Sequence, residues 1–299
     1  PTPGAGLLGF DPVKIYVDAL SAESEWGTYS TVTFRFSGEV DFDAFASLLS
    51  PRTKLVALTH VSNALGTVVP VQRFIAAARE RGVPVLLDGA QAVPHMKVDV
   101  QALDCDFYAF SGHKMCGPTG IGVLWARAEI LESMPPWQGG GAMIESVSKD
   151  VITYGPPPER FEAGTPPIVE VIGLGAAVDY LSNIGMANIR QHEMELTEYA
   201  LSTLAARYGD DIVIHGPRNV EIRGAVLSFA FRDIHPHDIS QILDEKNVCV
   251  RAGHHCAKPL MKLLGANATA RASFYIYNDQ TDADALADAL DGASDIFGV

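Results

Sequence analysis

Two short apolar runs flanking one helical period constrain this chain more than anything else in it. Lys54 to Val61 reads K-L-V-A-L-T-H-V, apolar, β-branched and short, as suits a strand buried on both faces of a parallel sheet. Val71, Phe74, Ile75 and Ala78 then fall at i, i+3, i+4 and i+7, and Gly82 stands where a helix C-terminal cap is wanted. Pro84 to Asp88 is the next expected strand. Strands interleaved with helices indicate an α/β sheet.

Further strands are expected at Cys105 to Ser111 and Ile121 to Ala126, on either side of the Gly- and Pro-bearing segment Gly117 to Gly120. Residues 135–167 are rich in Pro and Gly and show little periodicity, which predicts a long irregular excursion reaching toward a site. Helices are expected from Val169 to about Gly185 and from Met186 to Tyr208, linking two domains. Beyond Asp211 the pattern predicts strand (Ala225 to Phe231), helix (His237 to Lys246), strand (Val248 to Arg251), short helix, strand (Ala272 to Tyr277) and helix (Asp282 to Ile296). A large domain over residues 1–185 and a smaller α+β domain over 186–299 follow, and 299 residues at 47% hydrophobic content suffice for two cores.

A formal net charge of -14 without a basic run argues against nucleic acid as a partner. Cys105, Cys116, Cys249 and Cys256 lack disulfide-framework or zinc-type spacing, so a reducing compartment, the cytoplasm, is expected. No run of eighteen apolar residues and no secretory signal pattern is present, so no membrane association is expected.

The chemistry lies at strand ends. Ser111-Gly112-His113-Lys114 follows an expected buried strand, at the edge where sites in open α/β sheets gather, and a lysine there can form a Schiff base with an aldehyde cofactor. Asp88, ending L-L-D-G-A-Q, could hold a pyridinium nitrogen protonated so that the ring acts as an electron sink. Asn63, in H-V-S-N, could bond a phenolic oxygen. Taken singly, Lys114 reads as a surface lysine, Asp88 as a helix cap and Asn63 as a turn residue. Their convergence with Gln91 on one sheet edge is the stronger signal.

A second constellation is R-A-G-H-H-C-A, Arg251 to Ala257. A thiolate is the nucleophile in sulfur transfer, and Arg251, His254 and His255 could supply a cationic setting for Cys256. A buried structural cysteine and a His-His-Cys metal cluster are the alternatives, although adjacent histidines in an extended segment point to opposite faces and ligate one ion poorly. Arg271 opens an expected strand, and its planar fork suits an amino-acid carboxylate.

From about Phe36 onward the chain resembles the class V aminotransferase-like, fold-type I pyridoxal-phosphate enzymes, specifically SUF-type (group II) cysteine desulfurases and selenocysteine lyases. The motifs that carry the resemblance are T-H-V-S-N-A-L-G-T, D-G-A-Q-A-V, D-F-Y-A-F-S-G-H-K, G-P-T-G-I-G, R-F-E-A-G-T-P and R-A-G-H-H-C-A-K-P. The resemblance implies a large domain with a mostly parallel sheet, a smaller α+β domain and pyridoxal 5'-phosphate joined to Lys114. It implies Asp88 on the pyridine nitrogen, Gln91 and Asn63 on the ring oxygen, Ser111 and His113 on the phosphate, and Thr165 on the phosphate of the neighbouring subunit in a homodimer. It further implies that Cys256 accepts sulfur from L-cysteine, or selenium from L-selenocysteine, before passing it to a protein acceptor for iron-sulfur cluster assembly. Arg271 would bind the substrate carboxylate, with Arg251 close by. Family members also carry an N-terminal phosphate loop bearing Gly-Thr and a histidine stacked on the ring. Residues 1 to about 35 match neither, which implies a truncated or altered start; a related class V lyase, transaminase or epimerase is the alternative among enzymes, and an inactive remnant with a partner-binding surface is the alternative from outside them.

Overall fold

The computed structural model describes residues 30–34 and 42–298. The expectation for residues 1 to about 35 falls almost wholly outside them. The first sheet has the order β1 (Ser30–Phe34), β2 (Thr53–Thr59), β3 (Val85–Asp88), β4 (Phe107–Ser111), β5 (Gly122–Ala126). Its first four strands are parallel and β5 runs antiparallel to β4. Helix α1 (Phe42–Leu48) precedes β2, and α2 (Val71–Glu80) crosses from β2 to β3.

Helix α2 forms where the period requires, because Val71, Phe74, Ile75 and Ala78 make one buried stripe. That stripe packs with Val56, Leu58, Val85 and Leu87 of the sheet, and with Phe45, into one core. Each large side chain so buried contributes about 1.5–3 kcal/mol. Asp106 receives the amide of Val85 at 2.7 Å and pins the start of β3 against β4.

Helix α3 (Val100–Leu103) is capped by Asp99, which accepts from the amides of Gln101 and Ala102. After β5 comes α4 (Ala128–Ser133). The stretch 135–167, expected to be irregular, contains a hairpin of β6 (Ile144–Val147) and β7 (Ile152–Tyr154). Both strands are largely exposed, so no buried face imprinted an alternation on their sequence.

Helix α5 (Ile168–Ile184) leads through Gly185 into α6 (Met186–Tyr208). The second sheet is antiparallel in the order β10 (Arg251–Gly253), β11 (Thr269–Ser273), β9 (Val226–Phe231), β8 (Ile212–His215). Leu196, Ala200 and Leu204 of α6 join Leu227, Phe229 and Phe231 of β9 in its core. Helices α7 (Pro236–Glu245) and α9 (Gln280–Phe297) add Ile239, Leu243, Leu286 and Leu290, and α8 (Lys258–Leu263) follows β10.

Two expected strands shift along the chain. β10 begins at Arg251 rather than Val248, because the amide of Val248 is spent on the carbonyl of Leu243 at the end of α7. β11 ends at Ser273 because Asn278 folds the next segment into a turn, accepting the amide of Tyr275 on its side chain and donating its own amide back to the Tyr275 carbonyl. Strand β8 and the β1–α1 pair had no expected counterpart.

Candidate active site

Three parallel strands end in one row, with Thr59 of β2 beside Asp88 of β3 and Asp88 beside Ala109 of β4. Ser111 closes β4, and Asn63, Gln91 and Gly112 to Lys114 lie just past the strand ends, so the fold brings these residues to one sheet edge. Asp88 is exposed, and its Oδ1 accepts the amide of Ala90 at 3.0 Å. Lys114 ends a 3₁₀ turn over Gly112–Lys114, is half-buried, and follows an exposed His113. The turn is tight at Gly112, where a Cβ would come within 2.8 Å of the Ile121 side chain.

Beneath this edge lies a neutral pair that gave no local sequence signal. His60 Nδ1 and the Tyr108 hydroxyl are 2.9 Å apart and both residues are buried. Burial pushes the His60 imidazole down to about 4 and the Tyr108 phenol up, so both stay uncharged near neutrality.

The second constellation is tied to the first through Asn63. Arg271 Nη1 donates to the Asn63 carbonyl at 2.9 Å, and Asn63 Nδ2 donates to the His255 carbonyl at 2.5 Å. Ser228 donates its hydroxyl to the Ala64 carbonyl, and the Gly224 amide donates to Gly66 O at 2.7 Å. The loop after β2 is thereby held by the second sheet. Asn63 was expected on a cofactor oxygen; its side-chain amide is engaged on the His255 carbonyl.

Arg251 and Arg271 stand directly opposite each other in the β10–β11 ladder. Burial, then the Arg251 charge, lowers the Arg271 guanidinium from its ordinary value, while the Cys256 charge opposes the shift. Its Nε is buried without a hydrogen-bond partner among the described residues, and Arg251 Nη2 lies 3.8 Å from Cys256 Sγ. Two guanidiniums opposed like this repel each other unless an anion joins them.

His255 and Cys256 have φ of 52° and 58°, and the Ala257 amide donates to the His254 carbonyl at 2.8 Å. Two positive φ values inside a closed four-residue turn match the type I′ class that Gly and Asn dominate, and each costs about 1–3 kcal/mol in other residues. The sequence reading assigned both histidines to the cationic setting of Cys256. Only His254 is exposed; His255 is buried, and burial first, then Arg271 and Arg251, lowers it to about 4. Thr165 stands apart, exposed between the 3₁₀ turn Glu159–Phe161 and α5.

The family model for aminotransferase class-V matches residues 27–286. This chain belongs to the class-V aminotransferase family. Among its relatives, the probable cysteine desulfurase of Streptomyces coelicolor is 52% identical over 261 residues, which cover 87% of this chain and 62% of that protein. The crystal structure of the Escherichia coli cysteine desulfurase CsdA superposes with a TM-score of 0.81 at 41% identity, over 86% of this chain and 63% of that one. A C-DES mutant with glycine covalently linked to its PLP cofactor gives a TM-score of 0.72 at 25% identity, over 84% of this chain and 63% of that one. This class-V chain thus spans less than two thirds of each of these relatives, and its sheet and small domain are those of fold-type I enzymes.

Proposed function

We propose that this chain carries the pyridoxal-phosphate site and the sulfur-accepting thiol of a cysteine desulfurase, converting L-cysteine to L-alanine with a persulfide on Cys256. The observation that carries this reading is the hydrogen-bonded bridge from the strand ends to the cysteine turn, running from Arg271 to Asn63 and from Asn63 to His255. It ties the turn of Cys256 and the Arg271 guanidinium to the strand-end loop of Asn63, on the edge that also carries Asp88 and Lys114, and a sulfur-accepting thiol is a part that transamination does not require.

The residues fit pyridoxal phosphate by their donor chemistry. Asp88 offers an exposed carboxylate to a protonated ring nitrogen, Asn63 and Gln91 offer N–H groups to a ring oxygen, and Ser111 and His113 offer donors to a phosphate. Lys114 offers the amine, and Thr165 would serve the phosphate of a neighbouring subunit. The buried Nε of Arg271, without a hydrogen-bond partner among the described residues, supports an anion bound there. When bound, the cofactor supplies an electron sink that lets an amino acid lose its α proton.

The chain's own residues do the rest. Arg271 grips the substrate carboxylate through its planar fork. Lys114 takes the α proton and holds it for return to carbon. Arg251 Nη2 lies 3.8 Å from Sγ of Cys256, whose thiolate is the nucleophile. That thiolate attacks the substrate sulfur: an S–S bond forms, the C–S bond breaks with its electron pair going to carbon, and carbon takes a proton. L-cysteine and a thiol give L-alanine and a persulfide, with no outside oxidant.

We place the domain boundary at Gly185 and the enzyme in the cytoplasm, where thiols stay reduced, passing sulfur to a protein acceptor for iron-sulfur assembly. A homodimer is supported by the exposed apolar residues Ile168, Val169 and Ile172 of α5. The test is alanine formation from cysteine with a reductant, beside mass spectrometry of the cysteine peptides. Cys256→Ser should abolish persulfide while keeping cofactor binding. Unchanged turnover, or persulfide only on Cys105, Cys116 or Cys249, would remove the assignment.

A further inference from the structure

The turn that carries Cys256 is held at both ends of one residue, His255. Its carbonyl accepts from Asn63 Nδ2 at 2.5 Å. Its ring is almost wholly buried at 1% exposure, with Nε2 at 3.1 Å from the Thr269 carbonyl and 2.8 Å from the Thr269 hydroxyl. The Thr269 hydroxyl also reaches Met261 Sδ at 3.9 Å. A carbonyl can only accept, which puts the proton on Nε2 and leaves Nδ1, buried without a partner among the described residues, as the bare nitrogen. The side chain next to Cys256 is therefore locked in one tautomer and one orientation, and the main chain beside it is locked by Asn63.

We propose that Asn63, His255 and Thr269 form a clamp that positions the Cys256 thiol against Arg251, with His255 as a positioning residue. The need for it lies in the turn: neither His255 nor Cys256 favours positive φ, so without its anchors the turn relaxes and carries Sγ away from Arg251 Nη2. Because Asn63 belongs also to the cofactor edge, the clamp sets the reach of the thiol from the same side chain that would meet the cofactor. The proposal rests on Cys256 being the sulfur acceptor.

The test uses the full chain without cofactor or substrate, so its failure is separate from failure of desulfurase turnover. Alkylation of Cys256 by anionic iodoacetate and by neutral iodoacetamide is followed by peptide mass spectrometry. Exposed Cys249, whose Sγ lies 3.9 Å from an Asp244 oxygen, is the internal reference. A guanidinium at ~4 Å favours an anionic reagent by about fivefold in water. The iodoacetate-to-iodoacetamide ratio at Cys256 should fall by about that factor in Thr269→Val and in Asn63→Ala, reach the floor set by Arg251→Gln, and recover in Thr269→Ser. Buried Cys105 must stay unlabelled in each variant, which separates displacement of the thiol from labelling of unfolded chains. Ratios at the wild-type value in both Thr269→Val and Asn63→Ala, or in Arg251→Gln, overturn the proposal. Should Thr269→Val fail to fold, Asn63→Ala, at a partly exposed anchor, decides alone.

Discussion

Gly89, the residue after Asp88, has no room for a methyl group. A Cβ built there lies against the ring and hydroxyl of Tyr108 at a distance no real contact reaches. Tyr108 cannot step aside cheaply, since it is 1% exposed, packs in the core with Leu87, and shares a hydrogen bond with buried His60. Overpacking a core costs about 1–3 kcal/mol. Breaking the His60–Tyr108 bond leaves two buried polar groups unpaired, for about 1–3 kcal/mol more. Gly89→Ala should therefore destabilise the large domain by about 2–6 kcal/mol, a large share of a typical domain's ~5–15. Gly89 is not among the positive-φ residues, so the backbone itself tolerates alanine. The double-mutant cycle with Tyr108→Leu isolates the clash: in that background Gly89→Ala should cost less than about 1 kcal/mol. Urea unfolding followed by circular dichroism measures the cycle, and pyridoxal-phosphate titration of the four proteins reports displacement of Asp88. A Gly89→Ala protein within about 0.5 kcal/mol of wild type, or equal costs in both backgrounds, would refute the steric argument.

Lys114→Ala should abolish cofactor trapping by borohydride; label on Lys97 or Lys258 in the wild-type peptide map would show that the amine was misassigned. His60, lowered to about 4 by burial from 6.5, keeps its full contribution above pH 6.5 and loses it as pH falls toward 4. A shift of that size corresponds to about 3 kcal/mol. Chemical denaturation across that window should show the loss in wild type and a weaker slope in His60→Asn, and equal slopes would contradict it. Val169→Glu with Ile172→Glu places charges on exposed apolar positions of α5 and should convert a sedimenting dimer to a monomer; a dimer that survives both places the interface elsewhere.

Legibility in the sequence followed burial. Helix α2 was plain because one stripe of four side chains is buried and the opposite face is not. Helix α6 was expected over Met186 to Tyr208 and runs over those residues. The β6–β7 hairpin was invisible because its strands are mostly exposed, and β11 was misplaced because Phe274 and Tyr275 are apolar for packing while the backbone there already turns. The gathering of Asn63, Asp88, Gln91 and Lys114 at one sheet edge could be anticipated because each lies at or just past the end of an apolar strand, and parallel strands must end on the same side.

The sequence by itself thus determined the α/β alternation, the family and the chemical types collected at the strand ends, since all three are written in local order. Only the tertiary structure decided that Asn63 holds the carbonyl of His255, 192 positions away in the chain. It likewise decided that His255 is a buried neutral anchor rather than a cation, and that Arg251 and Arg271 face each other across a ladder. Hydrogen bonds and desolvation depend on which groups meet after the chain has crossed between two sheets, and nothing in a local run of residues encodes that distance.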